Sequence, residues 1–145
     1  MDTSSITPKF TKSIGFWMAL VMILSQLINA VRAFVDPVTF AVYMGLPLAN
    51  SADAGFVEVY GLRALFLAVF ASVLIYTRQI RALGFLALIA VIMPIGDMLL
   101  AVQAGAPIGI IIRHAVIGLF LLLAWFFLNR WCKVNFTHGP AHGST

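Results

Sequence analysis

The sequence predicts an all-α protein, a four-transmembrane-helix up-and-down bundle with a short interfacial or re-entrant helix between the first and second spans. Three observations carry this. Of 145 residues, 62% are hydrophobic and 10% are charged, whereas soluble domains carry roughly 25% charged residues; lipid, not water, suits such a surface. The apolar residues gather in four runs, each long enough for a hydrocarbon core that takes about 20 helical residues to cross. The links between the last three runs are too short for anything but tight turns. Residues 1–145 therefore read as a single integral membrane domain.

The first run, residues 13–34, follows Lys9 and Lys12. Its length, and the lack of a small-residue cleavage pattern before Asp36 and Pro37, predict a retained helix rather than a signal peptide. The connection that follows carries "PVTFAVYMGLP", apolar but too short to span and bracketed by Pro37 and Pro47. A helix lying across the bundle mouth is the form expected of it. The second span covers residues 57–76 and the third 80–104, with only "TRQI" between them; "GAP" leads into the fourth, residues 107–128. Successive spans are therefore expected to be antiparallel neighbours. Residues 131–145 are expected to form a flexible polar tail, in which a sequon at Asn135 and the pair His138 and His142 are weak signals.

Charge placement sets orientation and excludes several functions. The net charge is +4, but the basic residues fall in pairs at the ends of apolar runs and not in aromatic-interleaved clusters, which argues against nucleic acid. Lys9, Lys12, Arg78, Arg81, Arg130 and Lys133 share one side after four crossings. By the positive-inside rule both termini are cytoplasmic, in a bacterial inner membrane. The single cysteine, Cys132, forms no intrachain disulfide and no CxxC pair. Walker, GxSxG and HExxH motifs are absent from the sequence.

What remains is a layer of polar residues inside apolar helices. Counting from the non-cytoplasmic ends, Asp97 lies seven residues from Ala104, Arg63 six from Val57, Arg113 and His114 six and seven from Pro107, and Asn29 five from Phe34. At about 1.5 Å per residue these sit roughly 7 to 11 Å deep. Gln26 lies a turn deeper and Glu58 about a turn above. Asp97 falls on a stripe of small residues, Ala87, Ala90, Pro94, Ala101 and Ala104, the kind of face where membrane helices approach closely, so it is expected to point inward. An unpartnered aspartate at mid-helix costs ~3 kcal/mol on insertion scales. Arg63 is its first expected partner and His114 its second, while Arg113 is expected to reach for the headgroups.

This layer is the candidate site. Asp97 and His114 form a possible acid/base pair with the Arg63 guanidinium beside them as the catalytic candidates; Gln26, Asn29, Glu58 and Arg113 are candidate ligand contacts. No metal or cofactor is expected, because no second histidine or cysteine shares the depth of His114. The reading is a pocket opening to the non-cytoplasmic side that binds a small amphiphilic or lipid-like ligand, with proton transfer within its reach; whether it is an enzyme stays open. A small transporter working as an oligomer and an accessory subunit with a structural Asp97–Arg63 pair are the alternatives. Membrane lipid, the ligand, and a second copy of the chain through the small-residue stripes are the partners expected.

At "YGLRALFLA", "IRALGFLALIAVIMPIGDMLLA" and "IRHAVIG" the chain resembles a family of small bacterial and fungal four-helix integral membrane proteins catalogued only as a domain of unknown function. The marks map onto Gly61, Arg63, Gly96, Asp97 and His114. The resemblance implies the four-helix fold and these residues, and no reaction. A looser likeness, at the level of fold, extends to DoxX-like and anthrone-oxygenase-like four-helix proteins.

Overall fold

The computed structural model describes residues 10–136. In chain order the elements are α1 (Ile14–Val35), α2 (Pro37–Met44), a 3₁₀ turn (Ser51–Asp53), α3 (Ala54–Tyr76), α4 (Ile80–Ala90), α5 (Ile92–Gln103) and α6 (Ile108–Phe136). Four segments, Ile14–Val35, Ala54–Tyr76, Ile80–Gln103 and Ile108–Val134, are long and apolar enough to cross a membrane. Large apolar side chains such as Phe66, Ile89 and Ile108 point outward, as they do where lipid is the solvent. The chain is an integral membrane protein. Hydroxyls inside the spans bond locally: Ser72 donates to the Ala68 carbonyl at 2.7 Å and Ser25 to that of Met22 at 2.8 Å, so they need no water.

The third span is broken, where the sequence reading had one helix over 80–104. Its two halves, α4 and α5, meet at Val91. Pro94 is the physical reason: it brings no N–H, and its ring crowds the carbonyl four residues back, at Ala90. The fourth span overruns the expected end at 128 and takes in the first residues of the expected tail. Leu128 and Cys132, one turn apart, are buried in the core with Phe10, and Trp131 stacks edge-on against Phe10 at 4.9 Å; that packing extends the helix. His138 and His142 lie outside the described residues.

Packing divides the bundle unevenly. α1 and α3 share the most extensive interface, and α6 lies along both α4 and α5. The expected neighbour relation between the second and third spans holds only for α4, the half next to the connecting turn; α3 hardly meets α5. The reason lies on α3, whose buried residues Gly61, Ala64, Ala68 and Ala71 form one stripe that seats against α1. A Cβ on Gly61 would stand 2.8 Å from Ala33 Cβ, so this contact is as close as two helices come. On α6, Gly118 receives Pro94 of α5, whose Cγ lies 3.6 Å from where a Cβ would be.

α2 closes one end of the bundle. Asp36 both ends α1 and begins α2, its carboxylate accepting from the Thr39 N–H at 3.0 Å with Pro37 in the first turn, an arrangement suited to a helix start. The same hydrogen bond holds the Asp36 pKa below the ordinary aspartate value. The other end turns through Gly45 at φ 85°, and a Cβ there would meet Ile110 Cγ2 at 2.8 Å and Ala106 Cβ at 3.2 Å. Only glycine fits both the backbone and the space.

Candidate functional site

A short helix leaves its last four carbonyls without partners inside itself, and α2 meets this demand with two side chains from α6. The Ala41 and Val42 carbonyls accept from the backbone N–H groups of Leu46 and Gly45, each at 3.0 Å. The Tyr43 carbonyl accepts from the Arg113 guanidinium, and the Met44 carbonyl lies 3.2 Å from His114 Nε2. A carbonyl only accepts, so Nε2 carries the proton in that contact. The Arg113 guanidinium also lies 3.8 Å from the centroid of the Tyr43 ring, with Arg32 at 4.8 Å from the same ring. Cations suit the negative end of a helix and an aromatic face. Sequence reasoning sent Arg113 to the headgroups; the structure corrects this, because α2 offers an acceptor and a ring within its reach.

His114 is 2% exposed. Beneath α2 it lines a cavity of about 320 Å3 together with Asn29, Tyr43, Tyr60, Asp97 and Arg113, with Val116, Ile117 and Phe120 on its apolar flank. A second cavity of about 240 Å3 lies in the gap between α3 and α5, lined by Gln26, Tyr60, Arg63, Leu67, Gly96 and Asp97 among others. Asp97 and Tyr60 belong to both. They stand between the chamber beneath α2 and the cleft on the flank of the bundle. The Tyr60 ring is packed by Phe40 of α2, centroids 5.6 Å apart.

Asp97 shares the chamber with His114 and Arg113. Arg63, the partner expected first, shares the cleft with Asp97 but forms no ion pair with it. The two line one cleft, and azimuth keeps them from pairing. Arg63 stands two residues, about 200°, around α3 from Gly61, and Gly61 faces α1; the guanidinium therefore faces the side where α3 and α5 splay. The Asp97 carboxylate accepts no hydrogen bond from a described residue. Glu58 is exposed and lines neither cavity. So six of the seven residues singled out from the sequence fall on these two cavities, Gln26 and Arg63 on the cleft, Asn29, Arg113 and His114 on the chamber, and Asp97 on both. Tyr60 and the two carbonyls of α2 were missed. Tyr60 stands in the quoted "YGLR" and reads as an ordinary core aromatic; a backbone carbonyl has no signature in the sequence.

Among the described residues no group of three or more His, Cys, Asp or Glu comes together as a metal site. The donor set has a different character: one carboxylate with open lone pairs, one phenol, one guanidinium without a carboxylate, and apolar walls. Such a set offers hydrogen-bond donors and acceptors beside apolar surface. It is poorer as a proton relay, because the donating nitrogen of His114 is spent on Met44.

The fold defines a small four-span membrane protein with a short helix after the first span. The chain belongs to the family described as Domain of unknown function (DUF4267), whose model matches residues 23–128. It matches no curated protein and no solved structure.

Proposed function

We propose that the protein binds one small amphiphilic, lipid-like molecule, with its polar head at the Asp97 wall and its apolar part against the flanks of the two cavities. The observation that supports this reading is the position of Asp97: it separates a chamber rich in polar groups from a cleft beside α5, and it takes no hydrogen bond from a described residue. A carboxylate so placed costs free energy until donors reach it. The cleft gives a ligand a sideways route in, since α3 and α5 hardly touch, while Leu67 and Leu100 give its tail an apolar surface. α2 is the cover on the chamber, and Arg113 and His114 keep it in place.

In this reading both termini lie in the cytoplasm of a bacterial cell and the chamber faces the other side of the inner membrane. Labelling with a membrane-impermeant maleimide in a Cys132→Ser background tests the orientation: Ala52→Cys should react in intact cells and Lys12→Cys only after lysis. Binding is tested with a photoactivatable phospholipid in proteoliposomes. Cross-links should concentrate at Leu67, Met93 and Leu100, and Gly96→Leu, which places bulk in the cleft, should remove them. Even labelling around the outer faces of all four spans would overturn the proposal.

A further inference from the structure

Two opposite charges share the cleft without satisfying each other. Asp97 on α5 and Arg63 on α3 both line it, no ion pair joins them, and neither hydrogen-bonds to a described residue. Asp97 is half-buried and Arg63 exposed on the flank of the bundle, and direct pairing is the usual fate of opposite charges at such a depth in membrane spans. Here the two helices that carry them stand apart, with Gln26 and the bare backbone of Gly96 in the space between; a Cβ on Gly96 would meet nothing within 4 Å. A gap flanked by a donor-poor anion and an acceptor-poor cation is complementary to a molecule carrying the reverse pair.

We infer that the ligand of the cleft is a zwitterionic amphiphile, with a primary ammonium for Asp97 and an oxyanion such as a phosphodiester for Arg63. This rests on the amphiphile-binding reading and specifies its head. Each charge selects chemistry. A carboxylate with open lone pairs in an apolar setting needs N–H or O–H donors, which a primary ammonium supplies and a quaternary one does not. A guanidinium matches a phosphodiester with two parallel N–H donors. An anionic head without an ammonium would bring a third party's negative charge up to Asp97, at a cost that rises in low dielectric. Gln26, which both donates and accepts, lines the same space and suits either part of the head.

The experiment is native mass spectrometry of the protein released from bilayers holding equal parts of phosphatidylethanolamine, phosphatidylcholine and phosphatidylglycerol. Phosphatidylethanolamine should be retained about tenfold over each of the others, the discrimination that one charge-assisted hydrogen bond provides. Asp97→Asn should lower it to the level of phosphatidylcholine, and Arg63→Gln should lower retention of all three. Since either variant could disturb the bundle, Gly96→Leu supplies a third arm in which both charges remain and the space is filled; it should abolish retention of phosphatidylethanolamine. Equal retention of the three lipids, or a preference for phosphatidylglycerol, overturns this inference and leaves amphiphile binding standing on its cross-links. Absence of any cross-link in the cleft overturns both.

Discussion

α3 meets its two neighbours, α1 and α5, in opposite ways. Toward α1, Gly61 removes a side chain so that backbones can touch: a Cβ there would lie 2.8 Å from Ala33 Cβ and 3.4 Å from the Ala30 carbonyl oxygen. On the α5 side it is the facing helix that lacks a side chain, at Gly96, and nothing fills the space. The first glycine closes a seam and the second keeps one open. Without water to drive apolar surfaces together, spans associate through close packing and hydrogen bonds. A seam that lacks both, as between α3 and α5, stays apart unless something else occupies it. The difference teaches that glycine in a membrane helix is read by what stands opposite it.

The largest effect should come from forcing the closed seam. Gly61→Leu drives a side chain into Ala33, which is a stub with no rotamer to yield, so α1 and α3 must separate; overpacking of this kind costs about 3 kcal/mol or more at its upper end. Unfolding in a graded denaturing detergent should show a marked drop in midpoint, and an unchanged midpoint would remove the claim that this seam is tight.

The open side has its own brace, the end of α2 held by α6. His114→Ala leaves the half-buried Met44 carbonyl without its partner, and an acceptor so stranded costs up to about 2 kcal/mol. Amide exchange at Gly45 and Leu46, whose N–H groups bond to Val42 and Ala41, should then quicken by up to about 30-fold, the factor that such an energy sets. Exchange that stays slow would show that α2 holds without the histidine.

How legible was this in the residues? The spans were, because run length decides them, and Asp97, Arg113 and His114 stood out by polarity alone in apolar surroundings. The break before Pro94 was on the page too, yet apolar continuity outweighed one proline in reading the third span. Pairing failed for a geometric reason. Depth can be counted from a helix end, but whether Arg63 and Asp97 meet depends on which helices close up, and the small-residue stripes of α3 and α5 face α1 and α6, not each other. Glu58 was included on depth and lies exposed. The acceptors of Arg113 and His114 are main-chain atoms of α2, which no side-chain pattern announces.

A gentler change sharpens the contrast between the two glycines. Gly96→Ala adds a methyl group where nothing stands within 4 Å, and replacing glycine by alanine in a helix gains about 0.5–1 kcal/mol. The unfolding midpoint should rise, whereas Gly61→Ala should lower it. If both substitutions moved the midpoint the same way, the open and closed seams would be no different.

The smallest effect belongs to the other end of α2, on the solvent side of both seams. The Asp36 carboxylate is exposed, and its hydrogen bond with the Thr39 N–H holds its pKa below the ordinary aspartate value. A carboxylate whose folded pKa is depressed adds stability that is fully present above its unfolded value and is lost as pH falls through the folded one. Helix α2 should therefore loosen at its start only at acid pH below the ordinary aspartate range. Asparagine caps helices about as well and does not titrate there, so Asp36→Asn should remove this part of the acid sensitivity and leave the stability at neutral pH nearly unchanged. Comparing the two proteins at about pH 3 and about pH 6 isolates the one carboxylate from the others. The cleft gives the stricter reading: its lining comes from α1, α3 and α5, so lipid cross-linking there should respond to acid equally in both proteins. A difference between them would mean that the start of α2 is coupled to the open seam, and that the brace formed by Arg113 and His114 does not act alone.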